Sequence, residues 1–317
     1  MNNDLEFRTA TLGDVNFWTD VFTLARPFAP LDPVVERYWW EKGDETWTQE
    51  RIVVSRGGAP IGVAYFGHPR WKVAPKRFGT IGAETTAEHR DAVGAIYGEM
   101  ERRLVASGAL TVTTRVNEDD LARIALLGRL GFSEDRRGRR WELDLVANRE
   151  SILAMTKECR EKMRAQGVEL LTLADDNDPD KYEQVYRLSI EAEHDVPTTL
   201  PPVDQTLQDY MNWFQAPNIH EDRFWVAREN GRIVGVSLLG YPPTRGVVGT
   251  EWTATGRSVR GRGIARAVKC ETLAQAIALG VDRVRTGNDA ANDPILHINA
   301  TMGYRQVIGS INFLKHA

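Results

Sequence analysis

Apolar residues in this chain fall into short alternating runs and longer helical stripes. Arg51 to Gly62 reads as a strand, a glycine-bearing turn and a second strand, and Arg223 to Gly235 reads the same way. Ile264 to Leu279 places Ile264, Val268, Leu273, Ala276 and Ile277 on roughly one helical stripe, and Gly280 stops it. Val247 to Thr255 before it, and Val281 to Thr286 after it, are expected as strands. Asp293-Pro294 should open a further helix, with Asp as the cap and Pro at the first helical position. Arg149 to Gln166 carries Ile152, Met155, Cys159 and Met163 at amphipathic helical spacing.

The order of these signals repeats. Besides the two hairpins, Glu84 to Arg90 matches Ala254 to Arg260, and each precedes an alanine-rich helical stretch. Leu130-Gly-Phe132 matches Met302-Gly-Tyr304, each with a glycine closing a helix. The three pairs share a near-constant spacing of about 170 residues, which argues for duplication. Each half reads strand, one or two helices, two or three antiparallel strands, helix, strand, helix, strand. The expected class is therefore α/β (α+β), in two tandem domains, each a mixed, mostly antiparallel sheet flanked by helices. Residues 1–148 form the first unit, 149–166 a linking helix, and 167–317 the second.

Composition narrows the function by exclusion. The chain has 317 residues and a net charge of −4, so it lacks the basic surplus that non-specific nucleic-acid binding requires. Cys159 and Cys270 are far apart in sequence, and neither they nor the six histidines have zinc-ligand spacing. Met1-Asn2-Asn3-Asp4 is polar and not of signal-peptide type, and no apolar run is long enough to span a bilayer. These features lead to the expectation of a cytoplasmic protein with reduced thiols, a monomer or homodimer with no nucleic-acid or membrane partner.

Arg260-Gly-Arg-Gly263-Ile-Ala265 is the most informative stretch. It lies between a strand and a helix, where glycines let successive N–H groups point outward and the helix N-terminus favours negative charge; phosphate binds such a turn. Arg260, Arg262 and Arg266 would add mobile cations at its mouth. Together with the strand before it and the later Asn292, Asn299 and Gly303-Tyr304, the hexapeptide resembles the GNAT superfamily of N-acetyltransferases. The resemblance covers the chain as two copies and looks most like tandem GNAT proteins of actinobacteria, among them mycothiol-synthase-like and antibiotic-biosynthesis acetyltransferases. It implies acetyl-CoA as cofactor, with the pyrophosphate on Arg260, Gly261, Arg262, Gly263, Ile264, Ala265 and Arg266. It further implies a pantetheine arm lying where the preceding strand splays from its neighbour, beside Thr253, Ala254 and Thr255. Asn288 and Asn292 would bind that arm or cap a helix. The first copy reads Arg90-Asp-Ala-Val93-Gly-Ala95 at the matching place, so a β-branched side chain and a carboxylate stand where phosphate must approach. This half is expected to be degenerate.

Acyl transfer to an amine needs a base for the ammonium proton, donors for the developing oxyanion, and a leaving thiolate; the last is easy at an ordinary thiol pKa. The resemblance puts the oxyanion donor on the main chain of Thr253 to Thr255. Glu251 is the first choice for the base, since strand alternation places it on the face of Thr253 and Thr255. The resemblance implies a tyrosine acid four residues before the glycine that ends the last helix. Here that position is Asn299, which leaves thiolate departure to Asn299, to water or to no group. Glu191, His194 and Asp195 are expected over the acceptor, binding a cationic substrate or capping a helix. Acceptor specificity is expected in residues 187 to 215 and 22 to 48, where Trp39, Trp40, Trp47, Trp213 and Phe214, with Trp225 beyond them, could line a pocket or fill the core. Cys270 and Tyr304 are expected as packing. The resemblance implies as acceptor a small-molecule primary amine of natural-product or resistance type. The alternatives are a CoA-binding sensor without turnover and a protein or peptide N-acetyltransferase.

Overall fold

The computed structural model describes residues 4–317; the opening Met1 to Asn3 lies outside them. The first half runs β1 (Leu5–Thr9), α1 (Val15–Ala25), α2 (Pro33–Lys42), β2 (Trp47–Arg56), β3 (Ala59–Pro69), β4 (Phe78–Thr85), α3 (Val93–Ala106), β5 (Thr111–Asn117), α4 (Leu121–Arg129) and β6 (Ser133–Asp144). Helix α5 (Arg149–Ala165) follows. The second half repeats the order as β7 (Glu169–Thr172), α6 (Lys181–Glu193), α7 (Leu207–Phe214), β8 (Phe224–Glu229), β9 (Arg232–Gly240), β10 (Gly249–Thr255), α8 (Ile264–Ala278), β11 (Arg283–Asp289), α9 (Asp293–Thr301) and β12 (Arg305–His316). The expected landmarks occupy equivalent places, down to the left-handed glycines after α4 and α9, Gly131 at φ 86° and Gly303 at φ 88°. Several boundaries shift by one to three residues; the strand expected from Val247 begins at Gly249. The strand expected from Val281 begins at Arg283, and the cap of α9 is Asn292, with Asp293 already its first helical residue.

The two halves share one sheet. Its twelve strands run in the order β1-β2-β3-β4-β5-β12-β6-β11-β10-β9-β8-β7. The last strand of each half crosses to the other: β12 pairs with β5 and β6 with β11, while β6 and β12 pair antiparallel with each other at the centre. Burial follows the exchange. Ile311 and Phe313 of β12 fill the first-half core with Ile52, Ile81, Ile96 and Met100, whereas Leu143 of β6 fills the second-half core with Val268, Leu273 and Val284. At the seam, polar pairs replace apolar ones: Arg136 with Asp289 at 2.6 Å and Arg285 with Glu142 at 2.8 Å.

Helix α8 lies between the sheet and α5 and is buried nearly all round, which is why its apolar stripe is broad rather than one-sided. Packing of α5 on α8 brings Cys159 and Cys270 to 3.9 Å, both as free thiols. Arg160 grips the buried Glu271 through two bonds of 2.6 and 2.7 Å. No helix among the described residues is long and apolar enough to cross a membrane, and no metal-ligand cluster occurs among them.

Candidate active site

Strand β10 leaves β11 almost at once. The two pair in parallel only at Gly249 with Arg285, so the β10 edge facing β11 is open beyond that point. On its other side β10 stays with β9, except for a register shift between Thr250 and Trp252 that leaves Glu251 as a bulge. The bulge corrects an expectation. Simple alternation would put Glu251 with Thr253, whose hydroxyl meets Ser237 at 2.9 Å on the α8 side. The extra residue turns Glu251 to the opposite face, where it lines a cavity with Trp252. Gly240 makes room for it: a Cβ there would lie 2.1 Å from Glu251 Oε1.

After β10 the chain enters the glycine turn. Gly261 at φ 78° and Gly263 at φ 93° are both left-handed, and Gly263 caps α8 without a side chain. Among the described residues, no main-chain carbonyl accepts from the N–H groups of Gly261 to Arg266. They form an open row of donors at a helix N-terminus, suited to a diphosphate. A Cβ on Gly261 would meet nothing within 4 Å, and one on Gly263 would meet Lys162 Nζ at 3.2 Å. Lys162 of α5 thus overhangs the turn, about a hundred residues away in sequence, and no local pattern points to it.

The surrounding charges depart from expectation. Asp195 accepts from Arg257 at 2.7 and 2.8 Å and from Arg260 at 2.6 Å, and Glu191 accepts from the Arg257 amide at 2.7 Å. Hydrogen bonds from Arg257 and Arg260 hold the Asp195 carboxyl far below the usual carboxylate range. Both acids, expected over the acceptor, close instead on Arg257 and Arg260 ahead of the glycine turn. His194, the third residue of that cluster, bonds Asp204 at 2.7 Å. Arg262 is not a mobile cation at the mouth: Glu229 holds it at 2.7 Å and Gln166 at 3.1 Å. Arg266 reaches Thr301 on α9 at 2.7 Å. Asn299 is fully buried and spends its amide on Asn288 Oδ1 at 2.8 Å, tying α9 to β11. That geometry does not carry a role for Asn299 in thiolate departure. Asn292 caps α9 through its backbone, with no side-chain cap bond.

Where β10 and β11 part, α8 contributes a residue the sequence reading passed over. Lys269 is buried, with Nζ 3.2 Å from Thr250 Oγ1 and 4.9 Å above the Tyr304 ring. Desolvation lowers its amine to about 7. Tyr304 is core, as expected, and its buried hydroxyl has no partner.

The Glu251 cavity, about 290 Å³, is built by both halves. Trp39 and Asp44 come from the first half; Glu193, Tyr210, Trp213 and Trp252 come from the second. Tyr38 of α2 donates to the Asn212 carbonyl at 2.6 Å, and the Glu45 amide to Asp209 at 3.0 Å, which fixes one half against the other. Glu251 is exposed to the cavity, with Asn218 and Trp252 beside it. Desolvation raises its carboxyl above the ordinary value, opposed by a 3.0 Å bond from Asn218. Desolvation also raises Glu193, which accepts from Tyr210 at 2.9 Å. Of the other aromatics singled out, Phe214 is core and Trp225 bonds Gln275 at 2.7 Å. Trp47 packs on Phe78 and Trp40 on Trp18.

Residues 182–304 match the family described as Acetyltransferase (GNAT) family. The whole chain superposes on the tandem GNAT protein from the clavulanic acid biosynthesis pathway, solved without AcCoA, with a TM-score of 0.75 at 17% identity, over 98% of each chain. Residues 182–304 thus carry a match to the GNAT family, and the chain as a whole has the tandem GNAT fold. A GCN5-related N-acetyltransferase from Sphaerobacter thermophilus gives a TM-score of 0.70 at 17% identity, over 100% of this chain and 96% of that one. A GNAT-family acetyltransferase from Colwellia psychrerythraea gives 0.60 at 10% identity, over 98% and 99%. No curated protein matches the sequence. At these identities the structural neighbours establish the fold, and the GNAT-family match in the second half supports an acyltransferase. The open amides, left-handed glycines and unpaired β10 edge of this GNAT domain fit an acyl-CoA.

Proposed function

We propose that this tandem GNAT protein moves an acetyl or other short acyl group from an acyl-CoA to the primary amine of a small molecule. One observation carries the reading: strand β10 leads from an acid-lined cavity at Glu251, along an open edge, into the phosphate-suited turn before α8. A bound acyl-CoA would supply an activated carbonyl carbon and a sulfur able to leave as thiolate. The chain's own residues do the rest. The amides of Gly261 to Ala265 hold the diphosphate, with Arg260, Arg266 and Lys162 adding positive charge around it. The main chain of Thr253 to Thr255 offers donors along the acyl arm and, nearest the bulge, a donor for the developing oxyanion.

In the cavity, Trp39 and Trp213 provide faces for a cationic or apolar acceptor, and Glu193 and Glu251 provide countercharge. Glu251 takes the proton from the ammonium before attack; its raised carboxyl brings it nearer to an efficient base at neutral pH. The enclosing walls from both halves favour a small molecule over a protein chain. Asp195 and Glu191 keep the turn in shape rather than touching the acceptor.

The test is release of free thiol from acetyl-CoA against a panel of small amines. Amine-dependent release with one cofactor bound per chain is the expected result. Tight CoA binding with no release for any amine would leave a sensor instead of an enzyme.

A further inference from the structure

A second cavity, of about 390 Å³, lies in the first half between α1, α2 and the sheet face of β2, β3, β5 and β6. It is unlike the acceptor cavity in sign. Arg26, Arg51 and Arg140 stand on its wall against a single carboxylate, Glu36, among aromatic rings that include Trp18, Phe28 and Tyr65. Arg26 is already spoken for, since it pairs with the buried Glu84 at 2.8 Å. The other two guanidiniums have no carboxylate within ion-pair distance among the described residues. Arg51 bonds only a neutral group, Gln49 Oε1 at 3.2 Å, and stacks over Trp40 at 4.8 Å. Arg140 bonds Asn117 Oδ1 at 2.7 Å and lies 5.9 Å from the Phe28 ring centre. Burial opposes the charge of both. For Arg140 the nearby Arg115 and Arg26 oppose it further and the more distant Asp119 and Glu118 partly offset them, while for Arg51 only Glu36 helps.

Two half-buried cations whose direct hydrogen-bond partners are neutral, facing an open space between rings, would gain from an anion that joins them. We propose that this cavity is a binding site for a small organic carboxylate carrying an aromatic or alicyclic ring. The carboxylate oxygens would accept from Arg51 and Arg140, and the ring would pack between the aromatic walls. The inference stands apart from the acyl-transfer reading, because none of these arginines touches the phosphate turn or Glu251. Trp39 lines both cavities, so it forms a wall between them.

The experiment uses the full-length protein and phenylacetate as probe, with phenethylamine and inorganic phosphate as controls. Thermal melting and intrinsic tryptophan fluorescence provide two readouts, since Trp18 and Trp39 line the space. Phenylacetate should raise the melting temperature and change the fluorescence, and neither control should. Arg140→Met and Arg51→Met should each weaken phenylacetate about tenfold, the worth of one charge-assisted hydrogen bond. Without ligand, both variants should melt close to the wild type, because each loses a half-buried cation that has no carboxylate in direct contact. No response to phenylacetate overturns the proposal. So does an equal response to phosphate or to phenethylamine, or a sharp loss of stability in both variants that marks the arginines as structural.

Discussion

In the first half β4 runs in unbroken register with β3, pairs with β5 at Phe78, Gly79 and Thr80, and then diverges. In the second half β10 does the same with β9 and β11, but with a bulge at Glu251. The wedge exists in both halves, yet the first is plugged. Arg123 donates to the Ala83 carbonyl at 2.5 Å and pairs with Glu84 at 2.9 Å, and Glu84 pairs with Arg26 on its other side. An arginine thus occupies the β4 edge that β10 leaves open. The turn that follows β4 has no left-handed glycine, Val93 is buried, and Asp91 pairs with Arg56 at 2.9 Å. Topology alone therefore does not make a cofactor site. One bulge, two left-handed glycines and the absence of a plugging side chain separate the halves.

The comparison can be tested most severely at Glu251. Glu251→Gln should lower kcat by about a thousandfold, within the usual range for a lost general base. The wild-type rate should rise with pH as this carboxyl ionises, with a midpoint above the ordinary glutamate value, and the variant should lose that limb. A variant with wild-type kcat and pH profile would remove the base assignment. Next comes an exchange of the turn residues. Gly263→Val should raise the KM for acetyl-CoA by about a hundredfold, because a β-branched residue at positive φ costs on the order of 1–3 kcal/mol and also blocks the phosphate. The reciprocal Val93→Gly should leave calorimetric stoichiometry at one per chain, since Arg123 still fills the wedge. Two tight sites in the wild type would collapse the distinction between the halves.

Breaking the plug should affect folding rather than turnover. Glu84→Gln leaves two arginines facing a neutral group and should cost about 3 kcal/mol of stability in denaturant melts, with kcat little changed. The smallest effect concerns Lys269. Its amine falls to about 7 in the folded protein, so between that value and its ordinary pKa the unfolded chain binds more protons. Stability contributed by this group therefore rises as pH increases from about 7 towards 10.5, and the full cost of the buried charge is felt below 7. Lys269→Met should flatten that slope and raise the melting temperature at neutral pH. An unchanged slope would contradict the lowered pKa.

Local chemistry made much of the fold legible. Asn230-Gly231 and Gly57-Gly58 mark the hairpins, Gly263 marks the start of α8, and Ile152, Cys159 and Met163 lie on the buried side of α5. The glycine turn before α8 could be read because its backbone shape depends on six consecutive residues. Alternation alone puts Glu251 on the wrong face, because a bulge adds a residue that the sequence pattern does not reveal. Asp195 and Glu191 were assigned to the acceptor because the sequence shows that they are acidic but not which arginine they meet.

The sequence by itself determined the repeated order of elements and the turn before α8, since both depend on residues close along the chain. Tertiary structure alone decided the exchange of β6 and β12 and the plug in the first wedge. It also decided the approach of Lys162 to Gly263 and the meeting of Cys159 with Cys270. Strand periodicity says which face is buried, not which strand lies alongside, and a charged side chain finds its partner only after distant segments have packed.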